Sequence, residues 1–129
     1  MAVKILLVDD EANILSAFER KFRNHFDIYS ALGAAEALEI LGRSGPFAVV
    51  VSDLRMPGMD GIQFLGEVKS RAPDTVRVML TGHATQPLTV NAVEQGHIFR
   101  VLTKPCPLVD LFKTIEDGIE VYRHQTFIA

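Results

Sequence analysis

The stretch Phe47-Ala48-Val49-Val50-Val51-Ser52-Asp53 is the part of this sequence that decides the fold. Residues 47–51 are an apolar run rich in β-branched side chains, a composition that favours a β-strand. A strand without polar alternation is typically buried on both faces, as the strands of parallel sheets are. We therefore predict a central strand that helices cover on both sides and that leads directly into an acid, Asp53.

The same pattern repeats along the chain on both sides of this strand. Short apolar runs predict four further strands, over residues 3–8, 28–32, 76–80 and 98–102. Apolar residues at helical spacing predict helices over residues 12–26, 34–41, 62–72, 88–94 and 108–122. Strands that alternate with helices pair in parallel through right-handed crossovers, so helices lie on both faces of one sheet.

The domain organisation that follows is simple. No linker or low-complexity segment interrupts the alternation, so we predict one α/β domain over residues 1–129. Its final helix, from about residue 107, is a candidate to continue into a linker or output domain outside this chain.

Composition excludes several classes of protein. With 129 residues, 48% hydrophobic and 22% charged, the chain can bury a core and is not expected to be disordered. A net charge of −3 gives no basic patch for direct binding of nucleic acid. The sequence shows neither a membrane-spanning apolar run nor a signal peptide, and its single cysteine, Cys106, excludes an internal disulfide. These features favour a cytoplasmic protein.

Charged and hydroxyl side chains follow four of the predicted strands. Asp9 and Asp10 follow the first strand, Asp53 the third, Thr81 the fourth and Lys104 the fifth. The carboxyl ends of parallel strands meet at one edge of the sheet, and ligands of such folds bind there. We therefore expect these five side chains to lie close together.

The three acids of this group predict a cation site. Two carboxylates about 4 Å apart repel each other by roughly 4 kcal/mol at an effective dielectric constant near 20. Oxygen ligands without histidine or cysteine select a hard ion such as Mg²⁺, which also accepts phosphate oxygens. Asp53 is the best candidate nucleophile because it follows the central strand. Lys104 and Thr81 would supply a positive charge and a hydrogen bond to a phosphoryl group.

Each of these residues also has a simpler interpretation when it is taken alone. Asp9 and Asp10 suit the start of a helix, and Asp53 suits a turn before a loop that contains proline and glycine. Thr81 could belong to a turn and Lys104 could be a solvated strand end. Their coincidence at successive strand ends is what favours phosphoryl chemistry.

Four motifs resemble the response-regulator receiver domain (CheY-like) of two-component signalling. They are Leu6-Leu7-Val8-Asp9-Asp10-Glu11, residues 51–61 (VSDLRMPGMDG), Leu80-Thr81-Gly82 and Leu102-Thr103-Lys104-Pro105. The resemblance covers essentially the whole chain. It implies a flavodoxin-like (βα)5 fold with a five-stranded parallel sheet of order 2-1-3-4-5.

The resemblance also implies a role for each residue near the acids. Asp53 would be the phosphoacceptor, with Mg²⁺ bound directly by Asp10, Asp53 and the backbone carbonyl of Arg55. Asp9 would act on the metal largely through water. Thr81 and Lys104 would bind the phosphoryl group.

A second set of implied roles concerns signal transmission. The Lys104-Pro105 bond would be cis, and the switch would involve the face of the fourth helix, fifth strand and fifth helix. Thr81 would move towards the phosphoryl group while an aromatic residue three positions before the lysine turns inward. That position is Val101, which has no ring. Phe99 is an alternative switch residue on the same side of a regular strand, although a core position is its simpler interpretation.

Two large side chains near the acceptor motivate a hypothesis about the lifetime of the phosphorylated state. Arg55 lies two residues after Asp53, and His83 lies two residues after Thr81. Both could shield or contact the phosphoryl group. We therefore expect a fairly long-lived phosphoaspartate.

The implied partners are those of a signalling switch. A sensor histidine kinase or phosphotransfer protein would donate the phosphoryl group, and an output domain or effector protein would receive the signal. Phosphorylation-dependent homodimers are a further expectation, whereas membranes and direct contact with nucleic acid are not expected. Residues 54–61 and 99–105 are also similar to receivers joined to cyclic-di-GMP phosphodiesterase domains of the HD-GYP type.

Two alternatives stay open at this point. One is a small hydrolase of the haloacid-dehalogenase type, which also forms an aspartyl phosphate but requires an Asp-x-Asp motif after the first strand. The other is an interaction module that works without phosphorylation. A receiver domain would not be an enzyme for external substrates, since it catalyses only its own phosphorylation and dephosphorylation.

Overall fold

A computed structural model describes residues 3–82 and 85–128. Five parallel strands form one sheet in the order β2-β1-β3-β4-β5, which confirms the predicted topology. The strands are β1 (Lys4–Asp9), β2 (Asp27–Leu32), β3 (Val49–Asp53), β4 (Val76–Thr81) and β5 (Arg100–Thr103). The central strand β3 is therefore flanked by β1 and β4, both of which carry predicted site residues at their ends.

Each strand is followed by a helix, as the sequence predicts. The helices are α1 (Ala12–Phe22), α2 (Ala34–Ser44), α3 (Gly61–Arg71), α4 (Pro87–Glu94) and α5 (Leu108–Ile128). Within the described residues, none of these helices combines the length and the apolar character needed to cross a membrane.

Side-chain alternation along the strands divides the core into two halves. In β1, Leu6 and Val8 pack with residues of α2, α3 and α4, whereas Ile5 and Leu7 pack with residues of α1 and α5. Successive side chains of a strand point to opposite faces, so an uninterrupted apolar run requires a helical layer on each side. These two layers leave the carboxyl edge of the sheet open.

The end of α1 differs from the prediction. The helix ends at Phe22 and not at residue 26. The backbone N–H of Phe26 donates to the carbonyl of Phe22 at 3.0 Å, and its ring lies 5.2 Å from that of Phe112. Phe26 therefore packs against α5 from a turn, and its apolar contact explains why the spacing resembled a longer helix.

Other boundaries shift by a few residues. The strand β3 begins at Val49 instead of residue 47, and α5 continues six residues beyond the predicted end at residue 122, to Ile128. β5 begins at Arg100 instead of residue 98, because its pairing with β4 starts at that residue. Phe99 precedes the strand.

The interpretation of Phe99 as a core residue is wrong. Its side chain is 37% exposed, and the guanidinium of Arg100 lies over its ring at 4.9 Å. Because Phe99 precedes β5, the period-two alternation that placed it beside Val101 does not extend to it.

Candidate functional site

Three carboxylates meet at the carboxyl ends of β1 and β3. Asp9 ends β1, Asp10 follows it, and Asp53 ends β3. One oxygen of each lies within 4.8 Å of the others. The two strands are direct neighbours, and their pairing brings the end of β1 beside the end of β3. The acids that the sequence singled out are therefore brought together.

Lys104 lies between two of these acids. Its Nζ is 3.3 Å from Oδ1 of Asp53 and 3.4 Å from Oδ2 of Asp9. The backbone N–H of Lys104 donates to the carbonyl of Thr81 at 2.9 Å, which attaches the residue after β5 to the end of β4. The Thr81 side chain is buried at that same edge. All five predicted side chains thus share one edge of the sheet.

Backbone N–H groups fix the orientation of two carboxylates. The N–H of Glu11 donates to Oδ1 of Asp9 at 2.9 Å, and that of Leu54 donates to Oδ1 of Asp53 at 2.8 Å. Each donor lies one or two residues after its acceptor. Hydrogen bonds to a charged acceptor are stronger than neutral ones, so they hold the acids at the strand ends.

Burial and mutual repulsion determine the protonation properties of the cluster. Burial raises the pKa of Asp9, and the neighbouring charge of Asp53 raises it further; the Glu11 N–H and Lys104 oppose this effect. For Lys104, burial lowers the pKa, but the carboxylates of Asp9 and Asp53 outweigh that effect and the pKa is raised. Among the described residues, the Lys104 ammonium contacts two of the three carboxylates, so the cluster has an excess of negative charge.

The donor set fits a hard divalent cation. All three donors are carboxylate oxygens, the ligand type that Mg²⁺ prefers, and Asp10 is exposed on the open side of the cluster. Asp9 is buried and already accepts from Lys104 and Glu11. A cavity of about 480 Å³, lined by residues that include Asp10 and Arg55, opens beside the cluster. A phosphoryl donor could approach through it.

The loop between β3 and α3 contains two residues whose importance the sequence reasoning missed. The N–H of Gly61 donates to the carbonyl of Leu54 at 2.7 Å. A Cβ on Gly61 would overlap the carbonyl oxygen of Asp53 and would lie 2.9 Å from Cα of Leu54. Only glycine therefore allows the start of α3 to approach the backbone of the candidate acceptor.

The second missed residue is Asp60, the N-cap of α3. Its side chain accepts from the N–H of Gln63 at 2.9 Å, while the Gln63 side chain accepts from the N–H of Asp60 at 3.1 Å. This reciprocal pair is a capping box, and an acid followed three residues later by glutamine is its signature in the sequence. The capping box stabilises the start of α3, which is also the end of the loop that begins at Asp53.

The two proposed switch residues, Val101 and Phe99, lie in different environments. Val101 pairs with Met79 in the sheet and packs against the core on the side of α2, α3 and α4. Phe99 is exposed. The Lys104–Pro105 peptide bond is cis, the conformation that the resemblance implies. His83, the second residue of the lifetime hypothesis, lies outside the described residues.

A comparison with known families adds to this geometry. The sequence profile described as "Response regulator receiver domain" matches residues 5–116. The chain belongs to this family. The match includes every residue of the acid cluster, together with Thr81 and Lys104, and it does not support the hydrolase alternative.

Individual relatives and solved structures are similar to this chain over most of its length. The transcriptional regulatory protein GlrR of Escherichia coli is 35% identical over 117 residues, which are 90% of this chain and 26% of that protein. A crystal structure described as an adenylate cyclase from Rhodopirellula baltica has a TM-score of 0.93 and 35% identity, and the match covers 98% of this chain and 93% of that one.

A further solved structure comes from a protein whose name includes a second domain. The signal receiver domain of an HD domain-containing protein from Pseudomonas fluorescens has a TM-score of 0.89 at 29% identity, covering 96% of this chain and 99% of that one. The chain spans only 24% to 26% of the length of the first curated relatives it matches. The region similar to this chain is thus one part of longer proteins that have different names.

Family membership establishes the general activity. The chain is a receiver domain of a two-component response regulator, of the same family as NtrC, GlrR and HoxA. Domains of this family take up a phosphoryl group and generally bind Mg²⁺, and they are generally not true enzymes. The acid cluster of Asp9, Asp10 and Asp53 could hold the metal.

Proposed function

We propose that this receiver takes a phosphoryl group from a sensor histidine kinase or phosphotransfer protein onto the carboxylate of Asp53. The observation that carries the proposal is the placement of Asp53, which ends the central strand within the acid cluster and lies 3.3 Å from the Lys104 ammonium. A carboxylate fixed by a backbone N–H beside a cation is well positioned for phosphoryl transfer, which depends mostly on positioning and charge neutralisation.

In the transfer step, an oxygen of Asp53 forms a bond to phosphorus while the bond from phosphorus to the leaving nitrogen of the donor histidine breaks. Lys104 neutralises the charge on a phosphoryl oxygen, and the Thr81 hydroxyl donates a hydrogen bond to another. Water later cleaves the aspartyl phosphate, so the domain returns to its starting state without acting on another substrate.

The proposed ligands of Mg²⁺ are Asp10, Asp53 and the backbone carbonyl of Arg55, with Asp9 acting mainly through water. The exposure of Asp10 and the burial of Asp9 behind Lys104 support this division. When it is bound, Mg²⁺ supplies positive charge to the phosphoryl oxygens and offsets the repulsion between the acids.

The proposed output surface is the face formed by α4, β5 and α5. The helices of this face carry exposed apolar side chains, including Val90 of α4 and Val109 of α5, which are 43% and 73% exposed. Thr81 lies between the phosphorylation site and this face. Its carbonyl accepts the backbone N–H of Lys104, which follows β5, and it ends the strand that precedes α4. Val101 and Phe99 are the candidate switch residues on β5 and beside it.

The proposed signalling pathway lies in the cytoplasm. The matched relatives are longer regulatory proteins, which supports an output domain or effector protein as the receiver's partner. The receiver, residues 1–129, would act through that partner and would not itself bind nucleic acid or a membrane. Phosphorylation-dependent homodimers would form through the same face.

The proposal is tested by intact mass spectrometry after incubation with a small phosphodonor and Mg²⁺. We expect one phosphoryl adduct on the wild type and on Asp60→Asn, because Asp60 caps α3 outside the cluster. We expect none on Asp53→Asn, and none on the wild type in EDTA. An absent adduct on the wild type, or an equal adduct on Asp53→Asn, would contradict the proposal.

A further inference from the structure

We propose that the cavity beside the acid cluster is a leaving-group subsite for free acyl phosphates whose acyl group carries an apolar ring. The inference rests on the proposed function, because it requires phosphoryl transfer to Asp53. It adds a preference among phosphodonors, and this preference depends on the residues that line the cavity and not on the acids that perform the transfer.

The open side of the acid cluster determines where a leaving group can lie. The side chains of Asp9 and Asp53 are 5% and 11% exposed, whereas Asp10 is exposed and also lines the cavity of about 480 Å³. In phosphoryl transfer the attacking and leaving atoms lie roughly in line on opposite sides of phosphorus. Because Asp53 attacks from the buried side, the leaving group lies on the side of Asp10, where the cavity opens.

The lining of the cavity suits an apolar ring. Its volume falls in the range of roughly 300–1,000 Å³ that is typical of sites for small molecules, which combine apolar walls with a few polar groups. Leu88 is 71% exposed, so a ring that covers it removes apolar surface from water. The apolar residues of the lining come from the loop after β3 and from the first turns of α3 and α4: Leu54, Met56, Pro57, Ile62 and Leu88.

The charges of the lining favour a carboxylate as the leaving group. Among the described residues, Arg55 is the cation of this lining and forms no ion pair. The carboxylate of Asp60 is already used in the capping box. A guanidinium matches the two oxygens of a carboxylate, which is the leaving group of an acyl phosphate. A phosphohistidine instead releases imidazole, which carries no negative charge, so the cavity complements a free acyl phosphate better.

The transfer step is balanced without a further reactant. An oxygen of Asp53 forms a bond to phosphorus, while the bond from phosphorus to the bridging oxygen of the acyl phosphate breaks. The bridging oxygen keeps the electron pair and leaves as part of a carboxylate ion, and no proton is transferred. Arg55 neutralises the negative charge that develops on this carboxylate, and the apolar lining binds the ring.

The subsite is tested with benzoyl phosphate and acetyl phosphate, which share the reacting group and differ in the ring. The rate constant for formation of the phosphoryl adduct is measured by intact mass in Mg²⁺ buffer, which separates phosphorylation from acylation. Each rate constant is divided by the rate of hydrolysis of the same donor in buffer alone. We expect the wild type to prefer benzoyl phosphate by at least about tenfold, the effect of burying an aromatic ring.

Two variants of the lining and one matched control test which residues cause the preference. In Leu88→Ser it should fall by at least about threefold, close to the effect of losing one buried CH₂ group, and Ile62→Ala should act in the same direction. The control is Leu32→Ser, because Leu32 ends β2 at the same edge of the sheet and is 53% exposed, but does not line the cavity. The control should retain the preference within about twofold, as a surface substitution does.

A second pair of donors distinguishes a free acyl phosphate from the phosphohistidine of a protein. N-phosphoimidazole represents phosphohistidine, and phosphoramidate is its reference without a ring. We expect Leu88→Ser to change the ratio of these two rate constants by less than about twofold. A fall as large as that for the acyl phosphates would overturn the proposal, because the cavity would then receive the histidine ring of a protein donor.

The remaining outcomes separate the subsite from the proposed function. A preference of the wild type for benzoyl phosphate below about threefold would overturn the subsite, since no ring would then be buried. An equal fall in Leu88→Ser and Leu32→Ser would overturn it as well. If acetyl phosphate forms the adduct in either case, the proposed function stands. The absence of an adduct with all four donors would refute the proposed function and the subsite together.

Discussion

The Nζ of Lys104 lies 3.3 Å from Oδ1 of Asp53, the same oxygen that accepts the N–H of Leu54 at 2.8 Å. The Asp53 carboxylate therefore contacts two donors, the N–H of Leu54 in its own loop and the ammonium of Lys104, which follows β5. Asp9 shares the same ammonium at 3.4 Å. One cation thus balances part of the charge of two acids, and the remaining negative charge is available to a metal ion.

A first prediction concerns the stability that Lys104 contributes. In EDTA, Lys104→Met should lower the free energy of unfolding by about 1–3 kcal/mol, because the acids lose their cation. Mg²⁺ should then stabilise the variant more than the wild type, since a ligand bound only by the folded state adds stability. Urea unfolding with and without Mg²⁺ measures both effects.

The control for this prediction is Lys113→Met. Lys113 pairs with Asp117, but its side chain is 70% exposed, so the loss should be under about 1 kcal/mol. If both lysine variants were equally stable and equally sensitive to Mg²⁺, Lys104 would not be the cation that balances the cluster.

A second prediction concerns pH. The pKa of Asp9 is raised above 3.8 in the folded protein, so the folded state binds this proton more tightly than the unfolded state does. The contribution of Asp9 to the free energy of unfolding therefore declines as the pH rises from 3.8 through the raised pKa. In Asp9→Asn this decline should disappear, as measured by urea unfolding in EDTA at several pH values.

Asp117 provides a control of opposite sign. Hydrogen bonds from Arg100 and Lys113 lower its pKa, so its contribution is present above 3.8 and is lost as the pH falls through the lowered value. Asp117→Asn should therefore remove a decline towards low pH. The explanation for Asp9 fails if both variants change the pH profile in the same direction.

A third prediction concerns Gly61. Gly61→Ala should destabilise the domain by about 1–3 kcal/mol, because its Cβ overlaps the backbone at Asp53 and the loop must shift. Phosphorylation should slow as well, since the shift displaces the acceptor. The measurements are urea unfolding and the rate of adduct formation with a small phosphodonor.

Gly66, also on α3, is the matched control. A Cβ there would meet no atom within 4 Å, so Gly66→Ala should stabilise the helix by about 0.5–1 kcal/mol. Its rate of phosphorylation should equal that of the wild type. If Gly61→Ala and Gly66→Ala had the same stability and the same rate of phosphorylation, the close approach to Asp53 would not be the reason for a glycine at position 61.

A fourth prediction concerns the lifetime of the phosphoaspartate. Arg55 lines the cavity that Asp10 also lines, and we expect its side chain to obstruct the approach of water. Arg55→Ala should shorten the half-life of the adduct by at least about threefold, equivalent to a barrier lowered by at least about 0.6 kcal/mol. The decay is followed by intact mass in Mg²⁺ buffer, with Arg71→Ala as an exposed control. A half-life of seconds that neither Arg55→Ala nor His83→Ala changes would refute the shielding hypothesis.

The sequence predicted the architecture because the three inner strands, β1, β3 and β4, are almost entirely buried. The uninterrupted apolar run before Asp53 requires helices on each side, and the alternation of strands and helices then leaves few topologies. The strand order itself came from the resemblance. Helix ends were predicted less well, because an aromatic residue such as Phe26 can pack on the core from a turn as well as from a helix.

The site was predictable for a different reason. The acids, Thr81 and Lys104 follow strands, and the parallel topology necessarily brings strand ends to one edge. Gly61 was not predicted because its role depends on the close approach of α3 to the backbone at Asp53. A glycine in a loop carries no local signal of such a contact, whereas the capping box at Asp60 did have one.

The measurement that most directly tests the role of Asp53 is the location of the phosphoryl group. Borohydride reduces an aspartyl phosphate to homoserine, and trypsin then releases residues 44–55, in which Asp53 is the only acid. The acids of β1 fall in a separate peptide, residues 5–20. We predict that homoserine replaces aspartate in the peptide of residues 44–55 alone, and only after treatment with phosphodonor and Mg²⁺. Homoserine in the peptide of residues 5–20, with residues 44–55 unchanged, would contradict Asp53 as the phosphoacceptor.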